Sequence, residues 1–337
     1  MTVMIPPDDL ETCRAMIRTG SLSFHAASKA LPARVRDPAL ALYAFCRVAD
    51  DEVDEGTDKV AAVLRLRDRL DLIYQGRPRN AASDRAFAAV VAGFDMPRAL
   101  PEALLEGLAW DSLDRRYATL SELKDYAARV AASVGAMMCV LMRVRDGDAL
   151  ARACDLGLAM QLTNIARDVG EDARAGRLFL PLDWMAAAGV CPEAFLADPA
   201  PSPQIRAMTA RLLAEAEELY SRAATGVRRL PMDCRLAIHT AGHVYSAIGT
   251  EVARAGHDSI TRRARTTARQ KLGWLTVSAL QTAVLAVAPQ SARLHAPPEP
   301  EVAFLVQAAA RVRPGPARSE SLLRVLAQLE ARDRGMI

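Results

Sequence analysis

Two short stretches constrain this chain more than anything else in it. Asp50 and Asp54 stand four residues apart in Asp50-Asp51-Glu52-Val53-Asp54, and Asp168 and Asp172 do so in Asn164-Ile165-Ala166-Arg167-Asp168-Val169-Gly170-Glu171-Asp172. On a helix that spacing puts both carboxylates on one stripe. Like charges placed there cost about 0.2–0.5 kcal/mol per pair. A chain that accepts this cost twice is expected to hold a cation there, between two helices that face one another.

The residues around each acidic pair extend the argument. Tyr43, Arg47, Asp50 and Asp54 fall at i, i+4, i+7 and i+11, while Leu42, Phe45, Ala49 and Val53 make an apolar stripe beside them. Gly157, Gln161, Asn164, Asp168 and Asp172 repeat the pattern, with Leu158, Leu162, Ile165 and Val169 alongside. Each helix therefore has one face to bury and one that offers only oxygen donors. Carboxylate and amide oxygens without histidine or thiolate suit Mg²⁺ or Mn²⁺ rather than Zn²⁺. Arg47, Arg167 and Arg177 lie close by in sequence and can bind phosphate oxygens. One such acidic pair alone reads as a solvated helix face. Two, each with arginine and each beside an apolar stripe, point to metal-assisted binding of a diphosphate.

The rest of the chain reads as helix nearly throughout. Alanine and leucine dominate and aromatics make up only 5% of the residues, which favours helices over sheet. Asp37-Pro38 is expected to cap and open the first acidic helix. Thr119 with Glu122 predicts a capping box opening a helix to about Met142, and Asp148 is expected to cap the second acidic helix, which should stop near Gly176. Further helices are expected over 8–19, 58–75, 83–93, 101–117, 203–229, 233–256, 264–288, 300–312 and 319–334. No βαβ alternation, repeat or low-complexity tract interrupts them, and the breaks are short, so one large helical domain is the simplest account.

Bulk properties exclude several classes. A net charge of +3, with no RNA- or DNA-binding motif, gives no case for nucleic acid. The six cysteines form no CxxC pair and read as reduced core thiols of a cytoplasmic protein. Acidic residues at Asp8, Asp9 and Glu11 leave no room for a signal peptide there. The longest charge-free stretch, Leu272 to Ala292, contains Thr276, Ser278, Gln281, Thr282 and Pro289, and reads as a buried helix rather than a membrane span.

Tyr43-Ala-Phe-Cys-Arg47-Val-Ala-Asp50-Asp51-Glu-Val-Asp54 and Gln161-Leu-Thr-Asn164-Ile-Ala-Arg167-Asp168-Val-Gly-Glu171-Asp172 resemble the two signature motifs of squalene/phytoene synthases. Ser21-Leu-Ser23-Phe24, Arg177-Leu-Phe-Leu-Pro181-Leu-Asp183 and Tyr245-Ser-Ala-Ile-Gly249 extend the resemblance over roughly residues 15 to 290, nearest to bacterial members of carotenoid pathways. It implies an all-α isoprenoid-synthase bundle around a central cavity, spanning 1–337 as one domain. It also implies head-to-head joining of two geranylgeranyl diphosphates, through prephytoene diphosphate to phytoene, without NADPH. Condensation of farnesyl diphosphate to a squalene-type product, or a non-catalytic assembly role, are the alternatives; intact ligand positions argue against the second. The match assigns metal or metal-diphosphate roles to Asp50, Asp54, Asn164, Asp168 and Asp172. It assigns substrate contact to Ser21, Phe24, Tyr43, Arg47, Gln161, Arg167 and Tyr245, and more weakly to Arg177. A family stretch with a central glycine appears here as Tyr126-Ala-Ala-Arg-Val130-Ala131-Ala132-Ser-Val134-Gly135, with Ala132 in its place, which bears on local backbone opening.

Several features stay open in the sequence. Ala127, Ala131 and Gly135 could line a tunnel for a polyprenyl tail or let two helices pack closely, and Tyr126 could sit in a cavity or a core. His239 and His243 are four apart but lack the adjacent glutamate of a zinc-protease motif, so they read as surface or core histidines. Arg262, Arg263, Arg265, Arg269 and Lys271 read as a solvated face, or as contacts to lipid headgroups. Apolar spacing from Leu322 to Leu329 predicts a docking helix or an oligomer contact. Tyr220, Trp110, Trp184 and Trp274 are expected in packing roles.

Overall fold

A helix of 28 residues, Gly147–Arg174, runs through the middle of the protein and carries the second acidic motif. At 1.5 Å rise per residue it is about 42 Å long. Its starting cap is Asp146, whose Oδ1 accepts from the Ala149 amide at 3.0 Å. This corrects the expectation of Asp148, which lies within the first turn of the helix and meets His295 Nδ1 at 2.6 Å. The chain turns at Arg143, where φ is 61°, and that turn delivers Asp146 to the capping position. At the other end the Arg177 amide reaches back to the Asp172 carbonyl at 2.8 Å across Gly176, whose φ is +79°. Glycine adopts that left-handed conformation without steric cost, so the helix stops where expected.

The computed structural model describes residues 4–20, 28–54, 59–265, 267, 273–274, 276–279, 282 and 291–311. In chain order the helices used below are α1 (Pro7–Gly20), α2 (Ala33–Asp54), α3 (Lys59–Tyr74), α4 (Ala82–Phe94), α5 (Ala99–Ser112), α6 (Leu120–Ala127), α7 (Ser133–Leu141), α8 (Gly147–Arg174), α9 (Leu182–Ala187), α10 (Pro192–Ala197), α11 (Pro203–Gly226), α12 (Met232–Arg254) and α13 (Ala303–Ala309). The two short helices α9 and α10 were not expected. No strand occurs among the described residues. Helix α8 packs against α11, α7 and α12, while α2 packs against α1, α4 and α5. The helix expected over 319–334 lies outside the described residues, and of 264–288 only scattered helical positions fall within them.

The first acidic helix starts earlier than Asp37-Pro38 suggests. Val35 and Arg36 donate to the Pro32 carbonyl at 2.9 and 2.8 Å, so α2 opens at Ala33 and Pro38 sits inside it. Asp37 is drawn sideways instead, within 3.4 Å of both Arg14 and Arg36. The capping box holds in its first half: Thr119 Oγ1 accepts from the Glu122 amide at 3.3 Å, whereas Glu122 accepts from the amide of Ala118, one residue before the cap, at 2.7 Å. The helix it opens is not uniform, because Ala128–Ala132 form a π turn between α6 and α7.

That π turn meets α8 at close quarters. A Cβ on Gly157 would fall 2.5 Å from Ala132 Cα, and one on Gly135 would fall 2.5 Å from the Ala153 carbonyl oxygen. Such distances admit no side chain, so these two glycines set the spacing between the elements. The cysteines divide: Cys13, Cys139, Cys154 and Cys234 are buried, Cys46 is half-buried, and Cys191 is exposed rather than in the core. Tyr220 packs in the core as expected and shares a hydrogen bond with Thr163 Oγ1 at 3.1 Å. Trp184 is buried, while Trp110 lies between the guanidinium groups of Arg115 and Arg129. No described helix is long and apolar enough to cross a membrane.

Candidate active site

The two acidic helices border one apolar cavity of about 390 Å³. Helix α2 contributes Tyr43 and Cys46, α8 contributes Gln161 and Asn164, and α12 contributes Tyr245. The cavity then follows α8 away from the acidic end. Its lining positions recur every three or four residues from Asn164 back to Ala149, a run of about 22 Å at 1.5 Å per residue. Ala131 and Gly135 line it too, whereas Ala127 is fully buried in packing, so the small-residue row serves both purposes left open by the sequence. Tyr126 lies outside the lining and donates from its hydroxyl to Asp111 at 3.0 Å.

One turn beyond the lining stand the carboxylates, each gripped by arginine. Arg47 donates to Asp51 at 3.0 Å through Nε and approaches Asp50 at 3.7 Å. Arg167 meets the neighbouring Asp168 at 2.7 and 2.5 Å, and Arg177 meets Asp172 at 2.9 Å. Burial would raise the Asp168 carboxyl, but hydrogen bonds from Arg167 and Arg263 outweigh it and hold the group below the usual carboxylate range. Asp172 shows the reverse balance. Burial, aided by the negative charge of Asp168 and Glu171, pushes it up to about 6 against the pull of Arg177. Burial also raises the Tyr245 phenol, which feels Arg167 from α8 and Tyr43 from α2, so all three elements converge there. Asp54 belongs to α2, but its side chain, like the whole of Ser21 and Phe24, lies outside the described residues.

Arg263 is the residue that the spacing along the chain could not place. It meets Asp168 at 2.7 and 3.1 Å and Glu171 at 3.0 Å, from 95 positions away. The basic run in which it lies is its only signal in the sequence, open between a solvated face and lipid contact; the structure gives Arg263 acidic partners within the protein. Gly170 makes this approach possible. Its amide donates to the Ser259 carbonyl at 3.1 Å, and a Cβ there would fall 2.6 Å from Ile260 Cα. Asp258 then turns the chain by accepting from the Ile260 and Thr261 amides at 3.1 and 3.0 Å, while Arg206 holds it at 2.8 Å.

The donor set fits a hard divalent cation. Asp50, Asn164, Asp168 and Asp172 offer oxygen alone, and the arginines now pairing with the acids mark where positive charge is favoured. Among the described residues no three His, Cys, Asp or Glu side chains are grouped to hold an ion by themselves. Mg²⁺ does not need such a cage, because it keeps waters and binds through one or two carboxylates plus substrate phosphates.

His239 and His243 take no part in this site. The lining of α12 comes from Ala237, Ile238, Ala241 and Tyr245, whereas His243 Nδ1 lies 2.7 Å from Ser278 Oγ and its ring packs on Trp274. His239 is buried, and burial, with the charge of His243 and Arg235, lowers its pKa to about 4. Between pH 6.5 and 4 the unfolded chain therefore takes up a proton at this position that the folded protein refuses. Stability is expected to fall by up to about 3 kcal/mol across that window. Thermal melts of His239→Gln should lose that part of the pH dependence; an unchanged slope between pH 6.5 and 4 would show that His239 is not its source.

A sequence profile described as squalene/phytoene synthase matches residues 17–270. A phytoene synthase of Rhodobacter capsulatus is 66% identical over 336 residues, covering 99% of both chains. A phytoene synthase of Cereibacter sphaeroides is 64% identical, covering 98% of this chain and 96% of its own. Among solved structures, a dehydrosqualene synthase bound to a ligand superposes with a TM-score of 0.75 at 31% identity, over 82% of this chain and 97% of that one. A squalene synthase of Alicyclobacillus acidocaldarius shares the fold with a TM-score of 0.69, over 74% of this chain and 95% of its own.

Proposed function

The chain belongs to the squalene/phytoene synthase family and is a prenyltransferase, and on that premise we propose that it makes phytoene for carotenoid biosynthesis from two geranylgeranyl diphosphates. One observation carries the reading. Two helices bearing oxygen donors and arginines border the same end of a single elongated apolar cavity. A prenyl diphosphate has matching halves: a polyanionic head for the charged end and a hydrocarbon tail for the lining. The run of about 22 Å along α8 is comparable to an extended geranylgeranyl chain and leaves space beyond a farnesyl chain.

Asp50, Asp54, Asn164, Asp168 and Asp172 would hold the divalent ions, Mg²⁺ or Mn²⁺, with Arg47, Arg167, Arg177 and Arg263 beside them to bind diphosphate oxygens. Bound there, the metal supplies electrostatic stabilisation of the leaving diphosphate. The chain's own groups do the rest. Arginines compensate the charge that develops as the allylic C–O bond breaks. Tyr43, Gln161 and Tyr245 lie where head and tail meet and orient the first carbons, as the family match suggests for them, Ser21 and Phe24. The apolar wall keeps water from the allylic cation while the second prenyl chain adds. The first half-reaction forms prephytoene diphosphate and releases one diphosphate. The second releases the other and ends by losing a proton, so no NADPH is consumed. We place this chemistry in one isoprenoid-synthase domain of a cytoplasmic enzyme whose substrate and product are lipids. Nucleic acid has no part in it.

Purified protein incubated with Mg²⁺ and either geranylgeranyl or farnesyl diphosphate tests the proposal. Phytoene from the first and little hydrocarbon from the second is the expected result. A squalene-type hydrocarbon from farnesyl diphosphate alone would replace it with the shorter condensation, and no hydrocarbon from either would leave an assembly role.

A further inference from the structure

We propose that Arg152 is the floor of the hydrocarbon cavity and sets the longest prenyl chain the protein accepts, an inference that rests on the prenyl diphosphate reading above. Arg152 lines the cavity from α8, twelve residues before Asn164, so it stands about 18 Å from the oxygen-donor end. On α8, which is described throughout, one further turn, to Ala149, belongs to the lining beyond it. An arginine at the deep end of an apolar cavity is unexpected, and its side chain is fully buried.

The contacts of its guanidinium explain how it is accommodated. Nε lies 2.7 Å from Asp155 Oδ2, itself fully buried. Nη1 donates to the Arg293 carbonyl at 2.5 Å, and Nη2 to the Pro297 carbonyl at 3.4 Å. Asp155 is held in turn by Arg222 at 3.1 Å, Arg222 by Glu299 at 2.6 Å, and Glu299 by Lys124 at 3.1 Å. The charged head is thus engaged outside the cavity by the segment 291–299, which leaves the aliphatic stem to face the hydrocarbon. Gly226 backs that stem: a Cβ on it would fall 2.3 Å from Arg152 Cβ and 2.8 Å from its Cγ. A leucine or methionine floor could change rotamer and make room for a longer chain. A stem whose far end is held by an ion pair to a buried carboxylate and by hydrogen bonds to two carbonyls cannot do so without breaking those contacts, so it acts as a fixed stop.

The experiment uses the full-length protein with Mg²⁺ and the non-hydrolysable thiodiphosphates of farnesol, geranylgeraniol and geranylfarnesol. Binding is measured by calorimetry, and turnover of the natural diphosphates separately. Wild type should bind the geranylfarnesyl compound at least about tenfold more weakly than the geranylgeranyl one, the discrimination expected when surplus hydrocarbon meets a wall. Arg152→Ala should erase that gap. Gly226→Ala, which drives the stem inward, should shift preference by about tenfold or more from geranylgeranyl to farnesyl. The floor role is overturned if wild type binds the longest chain as well as geranylgeranyl, or if Arg152→Ala folds and keeps the wild-type gap. It is equally overturned, should Arg152→Ala not fold, by a Gly226→Ala variant with unaltered chain preference. If the expected binding order is found but no diphosphate is turned over, the floor stands and the catalytic reading fails.

Discussion

Replacing Asp168 by alanine is expected to lower turnover by on the order of a thousandfold while leaving the helical circular dichroism signal intact. The activity loss follows from what the carboxylate faces. It lies between Arg167 and Arg263, one turn beyond the cavity residue Asn164, in the set of oxygen donors proposed to carry the cation. Loss of one preorganised electrostatic group of this kind costs about a hundred- to a thousandfold, and loss of a metal ligand belongs at the upper end. The fold should survive, because both arginine partners remain in contact with solvent or other acids, and Arg263 also reaches Glu171 at 3.0 Å. Steady-state turnover with geranylgeranyl diphosphate checks this, and an Asp168→Ala enzyme with full activity would remove Asp168 from the machinery.

The second large effect lies behind the first acidic motif and is one of stability. Arg69 on α3 donates to both oxygens of Asp84 on α4, at 3.1 and 2.5 Å, and Asp84 is completely buried. Another donor of the same guanidinium meets Glu52 of α2 at 2.8 Å, with Arg65 on the other oxygen at 2.8 Å. One arginine therefore joins three helices and fixes the motif carrying Asp50. Removing one partner of a buried pair strands the other charge, which typically costs about 3–5 kcal/mol. Arg69→Ala should lose that much in denaturant unfolding, and the double change Arg69→Met with Asp84→Leu should regain most of it, since an apolar pair leaves no stranded charge. A loss below about 1 kcal/mol in the single variant would mean that solvent or Ser83, 3.2 Å from Asp84, replaces the arginine.

Much of the helical architecture was legible because it depends on near neighbours. The capping box at Thr119 and Glu122, the Gly176 stop and the run of the second acidic helix all follow from bonds within one turn. The errors were local competitions. Asp37 and Asp148 have the chemistry of caps, but Pro32 and Asp146 lie where the chain turns, so Asp37 and Asp148 pair with distant groups instead. The π turn at Ala128–Ala132 falls on the stretch where Ala132 replaces the family's glycine, but its form is settled where it meets Gly157 of another helix, which periodicity does not encode.

What the sequence by itself determined is placement: which two helices carry oxygen donors and arginines, and which of their faces are apolar. Spacing of three and four residues is enough for that, because a helix converts sequence distance into direction. Only the tertiary structure decided which charges share a partner and where the cavity ends. Arg263 reaches Asp168 across 95 residues, and Arg152 is turned from a surface-type side chain into a buried wall by carbonyls 141 and 145 positions away. No periodicity encodes such meetings, because packing brings those groups together only after the helices have formed.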